Sequence, residues 1–192
     1  MRLVCSSALA AAVALAACSS SEPAPVRART LVEARGLVLG LFQQLDGFEL
    51  ERQREEGLAG RPAVRMEARW RHEGEARRGV VYVLDHPSLF NVVHYTAPSE
   101  DGLFEAGLPV FQGMLRDLRV IQQAGPLTVV EEGAQKVMRS PELQLEVRYP
   151  ADWVYSLDEV NRAVVFSGPR DKETWLTTVS FSVLHKRARA AP

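Results

Sequence analysis

Two apolar runs set almost back to back, VVYVL at 80–84 and LFNVV at 89–93, constrain this chain more than any other feature in it. Each is too short for a buried helix and rich in β-branched and aromatic residues, and Asp85, His86, Pro87 and Ser88 between them supply a turn, so the runs predict adjacent antiparallel strands. A strand that is apolar on both faces has to be covered on both. The pair is therefore expected at the centre of a sheet with something packed on each side.

The flanking sequence supplies neighbours. Over 62–71, Val64, Met66, Ala68 and Trp70 alternate with Arg65, Glu67, Arg69 and Arg71, which predicts a strand with one buried and one wet face, and HEGE at 72–75 turns it into the strand from 76. Residues 48–55 start alternating and become wholly polar, as suits an edge strand. Thr30 followed by Glu33 makes a capping box, after which Leu31, Ala34, Leu37, Val38, Leu41, Phe42 and Leu45 recur at helical spacing until Asp46 and Gly47. Gly36 and Gly40, four apart in that helix, are expected to let it pack closely on a strand, since a helical glycine costs about 1 kcal/mol and needs a reason.

Beyond the central pair, Ser99 is placed to cap a helical segment carrying Leu103, Phe104, Leu108, Phe111, Met114, Leu115 and Leu118, which Gly107 and Pro109 should divide into two pieces near Leu108. A short strand follows over 127–131, an irregular or weakly extended stretch over 133–141, a strand from Leu143 that ends at Pro150, and strands over 163–167 and 175–184. In the last, Trp175, Thr177, Val179, Phe181 and Val183 share a face. These three strands are expected in the same sheet as those of 64–96. The fold class is α+β, a single antiparallel sheet of about six to eight strands flanked by two main helices.

With 23 basic and 24 acidic residues among 192, and 46% hydrophobic, the chain is composed as one globular domain and lacks the cationic excess of a nucleic-acid binder. Its first 17 residues read as a secretory signal: Arg2, an apolar run over 3–15, and small residues before Cys18. That run is too short to stay as a membrane span. Leu15, Ala16, Ala17 and Cys18 resemble the lipobox of bacterial lipoproteins. The resemblance implies cleavage before Cys18, its acylation by palmitate-type chains, and, with Ser19 next, sorting to the outer membrane facing the periplasm. Cys5 leaves with the leader, so the mature chain holds one cysteine and no disulfide. The expected organisation is a signal peptide at 1–17, a flexible tether at 18–29, a domain at 30–186 and a frayed tail at 187–192.

Tyr149, Pro150 and Trp153 after a strand, a return strand ending Phe166, Ser167, Gly168 and Pro169, and a strand bearing Val179, Phe181 and Val183 resemble the opening of PsbP-like domains. The 79–120 block, with its Gly-led strand, its strand ending Tyr95, Thr96, Ala97 and Pro98 and its helix, resembles their closing half. The resemblance implies an α/β/α sandwich used for binding and assembly rather than catalysis. Here the closing half comes first, an order that fits a circular permutation.

Catalytic and metal signatures are not assembled in the sequence. His72, His86, His94 and His185 stand apart from one another, with His86 read as a turn residue and His94 as a structural histidine on a central strand, so no metal and no cofactor is expected. There is no G-x-S-x-G, no phosphate-cradling glycine loop and no H-E-x-x-H, and Glu100, Asp101, Glu131 and Glu132 fall in solvated caps or loops. An enzyme is not expected. The candidate interaction patch is Arg65, Arg69 and Arg71 with Arg77 and Arg78 across the hairpin, facing anionic head groups, lipopolysaccharide or an acidic protein. Glu67, Glu73 and Glu75 interleave with it, and a charge-balanced wet face is the competing reading. The functional expectation is a lipid-anchored, non-catalytic envelope protein that binds or assembles with another envelope component. The alternative is a carrier holding a small apolar or glycan ligand between helix and sheet.

Overall fold

The computed structural model describes residues 27–100, 102–122, 124–158 and 161–187. The signal peptide, Cys18, the tether up to 26 and the tail from 188 lie outside the described residues.

Strands β2 (Glu49–Leu58), β3 (Arg61–His72), β4 (Glu75–Asp85) and β5 (Leu89–Pro98) form a meander. Its first two turns are two-residue loops, Ala59 and Gly60 (φ 51° and 71°) and Glu73 and Gly74 (φ 52° and 85°). Positive φ at both central positions is the turn geometry whose twist matches the strands it joins. On its other side β5 pairs with the last strand, β12 (Thr178–Lys186), from Thr178 opposite Thr96 to His185 opposite Leu89. One half of β12 then carries β11 (Ala163–Ser167), which carries β10 (Val154–Asp158) at the sheet edge. The other half pairs in parallel with β1 (Arg27–Ala28). The result is an eight-stranded sheet in the order β10-β11-β12-β5-β4-β3-β2, with β1 beside β12.

The two apolar runs do sit at the centre, and both faces are covered. Helix α1 (Leu31–Phe42) lays Ala34, Val38 and Phe42 on the face formed by Val64, Met66, Trp70, Val81, Val83, Phe90 and Val92. Helix α2 (Leu103–Arg116) covers the opposite face, where Phe104, Phe111, Met114 and Leu115 meet Val80, Tyr82, Val93, Tyr95, Val179 and Phe181. The Thr30 hydroxyl accepts the Glu33 amide (3.1 Å) and the Glu33 carboxylate accepts the Arg29 amide (2.8 Å), so the predicted start of α1 is built as a reciprocal cap.

Several expectations are corrected. The second helical segment is one helix: Pro109 sits on its exposed side, where its missing bond is left to water, and docking the whole apolar stripe on the sheet outweighs the break. Its cap is Gly102 (φ 70°), not Ser99, whose amide still bonds the Ala76 carbonyl. The strand expected from Leu143 to Pro150 does not join the main sheet. It forms β9 (Leu145–Pro150) of a second, four-stranded sheet ordered β6-β9-β8-β7, with β6 (Arg119–Val120), β7 (Thr128–Glu132) and β8 (Gln135–Ser140). A tight turn ending at Gln144 (φ 54°) joins β8 to β9, and such local pairing closes at low entropic cost. Of the two readings of 133–141, irregular or weakly extended, the extended one holds, as the paired strand β8.

This second sheet shares the α2-side core through Met138, Leu145, Val147 and Tyr149, and Asn91 fixes it by donating to the Leu143 carbonyl (2.6 Å). Trp175 lies in a 3-10 turn (Glu173–Leu176) before β12, so only Val179, Phe181 and Val183 of the expected face are on the strand. Arg27 and Ala28, counted with the tether, are paired, and Ala28 is fully buried. Gly36 and Gly40 touch nothing: a Cβ added at either meets no atom within 4 Å. Close approach belongs instead to Gly79, beneath the Trp70 ring, and to Gly107, against Thr177 and Tyr95.

Candidate partner-binding edge

The five predicted arginines do not make one cationic surface. Side chains alternate along a strand, so the neighbours Arg77 and Arg78 cannot face the same way. Arg78 lies opposite Arg69 on the side of Arg65 and Arg71, whereas Arg77 lies opposite Trp70 on the α1 side and is buried. Acids neutralise most of the shared face. Arg65 pairs with Glu67 (3.1 Å), Arg69 with Glu49 (2.9 Å) and Arg78 with Glu51 (3.3 Å) and Glu105 (3.4 Å). The Glu49 carboxylate also holds the Arg69 guanidinium above its ordinary pKa, chiefly by hydrogen bonding. This is the geometry of a charge-balanced wet face.

The histidines are equally dispersed, and among the described residues no group of three or more His, Cys, Asp or Glu side chains could hold a metal. His86 sits in its turn with Nδ1 3.1 Å from the Ser88 hydroxyl, which donates to Gln144 (2.9 Å) and so ties the β4–β5 turn to the second sheet. His94 lies under α1 between Phe42 (ring centroids 5.1 Å) and Trp70 (5.7 Å). Burial alone pushes its pKa down to about 3. Ser180 stands directly opposite it on β12 and Thr96 two residues along on the same face. His94 Nε2, Thr96 Oγ1 and Ser180 Oγ are all buried with no partner, so the serine and histidine are not hydrogen-bonded to each other. A general base has to reach the proton it takes and to be basic enough to hold it. Here neither condition is met.

The feature of the surface that stands apart is β10, the edge of the main sheet. Its residues Val154 (60% exposed), Tyr155 (38%) and Leu157 (55%) are large, apolar and open to solvent. Trp175 and Leu176 are exposed in the 3-10 turn, and Gly168, next to the Ser167 that pairs with Val154, lies against Thr174 of that turn. The strand is held firmly. It pairs with β11 along its full length, the Tyr155 ring lies 6.4 Å from that of Phe166, and the Asp152–Lys172 ion pair (2.6 Å) clamps the turn that leads into it. At its other end the Asp158 carboxylate accepts the Asn161 amide (3.0 Å). Its outer side pairs with no strand among the described residues.

The opposite edge of the same sheet is built differently. Strand β2 reads ELERQREEGL, with charged side chains over most of its length. Charge on an edge discourages pairing with another chain, and β10, VYSLD, carries it only at its last residue. Sequence reading passed over β10 because both its faces are exposed and no buried period marks it. The usable signal was the contrast in charge between the two edges.

Comparison with protein-family models, with curated proteins and with solved structures finds no match to the chain. No helix among the described residues is long and apolar enough to cross a membrane.

Proposed function

We propose that the protein is a lipid-anchored, non-catalytic module of the cell envelope. In this reading acylated Cys18 holds it on the outer membrane facing the periplasm, and its domain, a circularly permuted relative of PsbP-like domains, assembles with another envelope protein. The observation that carries the reading is the largely apolar edge strand β10, charged only at Asp158, in a sheet whose other edge is guarded by charge. An extended segment of the partner would add to β10 through main-chain hydrogen bonds, with Val154, Tyr155 and Leu157 giving the side-chain contacts. The permuted family reading is supported by β11 and β12, which follow the Tyr149–Trp153 segment in the chain and pair with one another, β12 pairing in turn with β5.

The test is in-cell cross-linking from a photoreactive residue at Ser156, in the native background and with Tyr155→Lys and Leu157→Lys together. The expected outcome is one discrete cross-linked envelope protein, lost in the double variant while the fold persists. An unchanged cross-linking pattern in the double variant would overturn strand addition at this edge.

A second reading, a carrier of a small apolar or glycan ligand between α1 and the sheet, draws on the unpartnered buried atoms of His94, Thr96 and Ser180. It predicts a bound molecule in native mass spectra of the purified protein.

A further inference from the structure

Parallel pairing of β1 with β12 sets Arg27 opposite His185 and Ala28 opposite Lys186, and the Arg187 amide continues the ladder by donating to the Ala28 carbonyl (2.9 Å). Arg29 and Arg187 are thereby drawn together, and with Arg27 they surround a hollow of about 400 Å³ at the first turn of α1. Glu33, Gly36 and Leu37 complete its wall. The space at Gly36 is open, since a Cβ there would meet nothing within 4 Å.

Much of the cationic surface is neutralised, although Arg52, Arg61 and Arg71 also make no ion pair among the described residues. Arg65, Arg69, Arg78, Arg139 and Arg148 each meet a glutamate. Among the described residues none of Arg27, Arg29 and Arg187 makes an ion pair, and the single carboxylate in the hollow, Glu33, is engaged by the Arg29 amide. Like charges gathered across a strand pair repel, and an anion in the hollow would relieve that. Val32, on the same helix stripe one turn before Gly36, is 59% exposed, so an apolar side chain faces solvent one turn from the wall of the hollow.

We infer that this hollow binds the phosphate-bearing head group of an anionic membrane lipid and sets the orientation of the domain on the bilayer. The inference rests on the anchored reading above. Arg27 lies nine positions after Cys18, so even a fully extended tether keeps the hollow within about 30 Å of the acylated cysteine. Arginines near an anionic surface attract it by an amount equivalent to about fivefold in affinity each.

The test uses the full acylated chain in vesicles, with a fluorophore on Val32→Cys and head-group-labelled quencher lipid. Mass spectrometry of the amino terminus reads acylation separately, so failure of the anchor and failure of the hollow are distinguished. In vesicles containing phosphatidylglycerol the probe should be quenched. In pure phosphatidylcholine quenching should be weak, and in Arg27→Gln with Arg187→Gln the population quenched in anionic vesicles should fall by about 25-fold. Inorganic phosphate at constant ionic strength should leave quenching unchanged. Equal quenching in the two kinds of vesicle by an acylated chain overturns the inference while sparing the anchor. Displacement of the probe by inorganic phosphate overturns the lipid as the source of the anion, and an unacylated mature chain overturns the anchor and this inference with it.

Discussion

His94 makes the stability of this domain depend on mildly acidic pH in a way that can be isolated. It is 2% exposed, ringed by Phe42 and Trp70, and its Nε2 has no partner. Burial lowers its folded-state pKa to about 3, against about 6.5 in the unfolded chain. The sign follows. Below pH 6.5 the unfolded chain takes up a proton that the folded chain refuses, so the unfolded state is favoured progressively as pH falls toward 3 and no further below it. Each unit in that window costs about 1.4 kcal/mol, which gives about 2 kcal/mol between pH 7.5 and 5.0 from this residue. That is a large share of the roughly 5–15 kcal/mol that stabilises a typical domain. His86 is also held low, by burial and then by Arg61, and carboxylates titrate too, so the wild-type pH dependence alone is not diagnostic. The diagnostic quantity is the difference between wild type and His94→Gln, with His94→Phe as a second variant free of a buried amide. Urea unfolding at pH 7.5 and 5.0, followed by tryptophan fluorescence, should show both variants losing about 2 kcal/mol less than wild type between the two conditions. If all three proteins lose the same stability, His94 is not held neutral by its surroundings and the description of the α1 face is wrong.

Glycine-to-alanine changes should split by sign. Gly36→Ala and Gly40→Ala meet open space and should raise stability by about 0.5–1 kcal/mol each, whereas Gly79→Ala, whose Cβ would come within 2.9 Å of the Tyr95 carbonyl and closer to Trp70, should lower it by about 1–3 kcal/mol; thermal unfolding reads both. A chain ending at Gln122 lacks β12 and should be insoluble or unfolded, because β5 would then present an open edge with apolar residues on both faces; a sharp unfolding transition from that fragment would contradict the shared core. Cys18→Ala should release the protein from membranes, and retention after a high-salt wash would show that acylation is not what holds it.

What could be read from the sequence was whatever a single strand or helix determines for itself. Continuous apolarity placed β4 and β5 at the centre, alternation gave β3 its buried and wet faces, and Thr30 with Glu33 marked the start of α1. What could not be read depends on partners distant in the chain. Strand β8, QKVMRS, has two adjacent apolar residues and no periodicity, and it exists because β7 and β9 pair on its two sides. The fate of β9 was hidden for the same reason, since Leu145, Val147 and Tyr149 would suit either sheet and the turn at 141–144 decides. The arginine row was partly legible: period-two alternation already forbids Arg77 and Arg78 from sharing a face. The hollow was not legible, because Arg29 and Arg187 become neighbours only through a parallel pairing between the two ends of the domain.

That pairing also relates the two proposed surfaces. Strands β1 and β11 lie along the same side of β12 but on different halves of it, β1 at His185 and Lys186 and β11 at 178–181. Lys186 lies eight positions after Thr178, about 26 Å of extended strand. The arginine hollow stands at the Lys186 end, close in sequence to Cys18, and β10 borders β11 at the Thr178 end, with Val154 beside Ser167. If the hollow rests on the lipid surface, β12 runs between the bilayer and the docking edge. The apolar β10 strand is then held away from lipid, where another envelope protein can reach it. That orientation would also make an edge so poor in charge tolerable. A domain tethered by a short segment and seated on head groups presents that edge in one direction, which restricts the pairing of exposed edges between copies that a freely tumbling domain would invite.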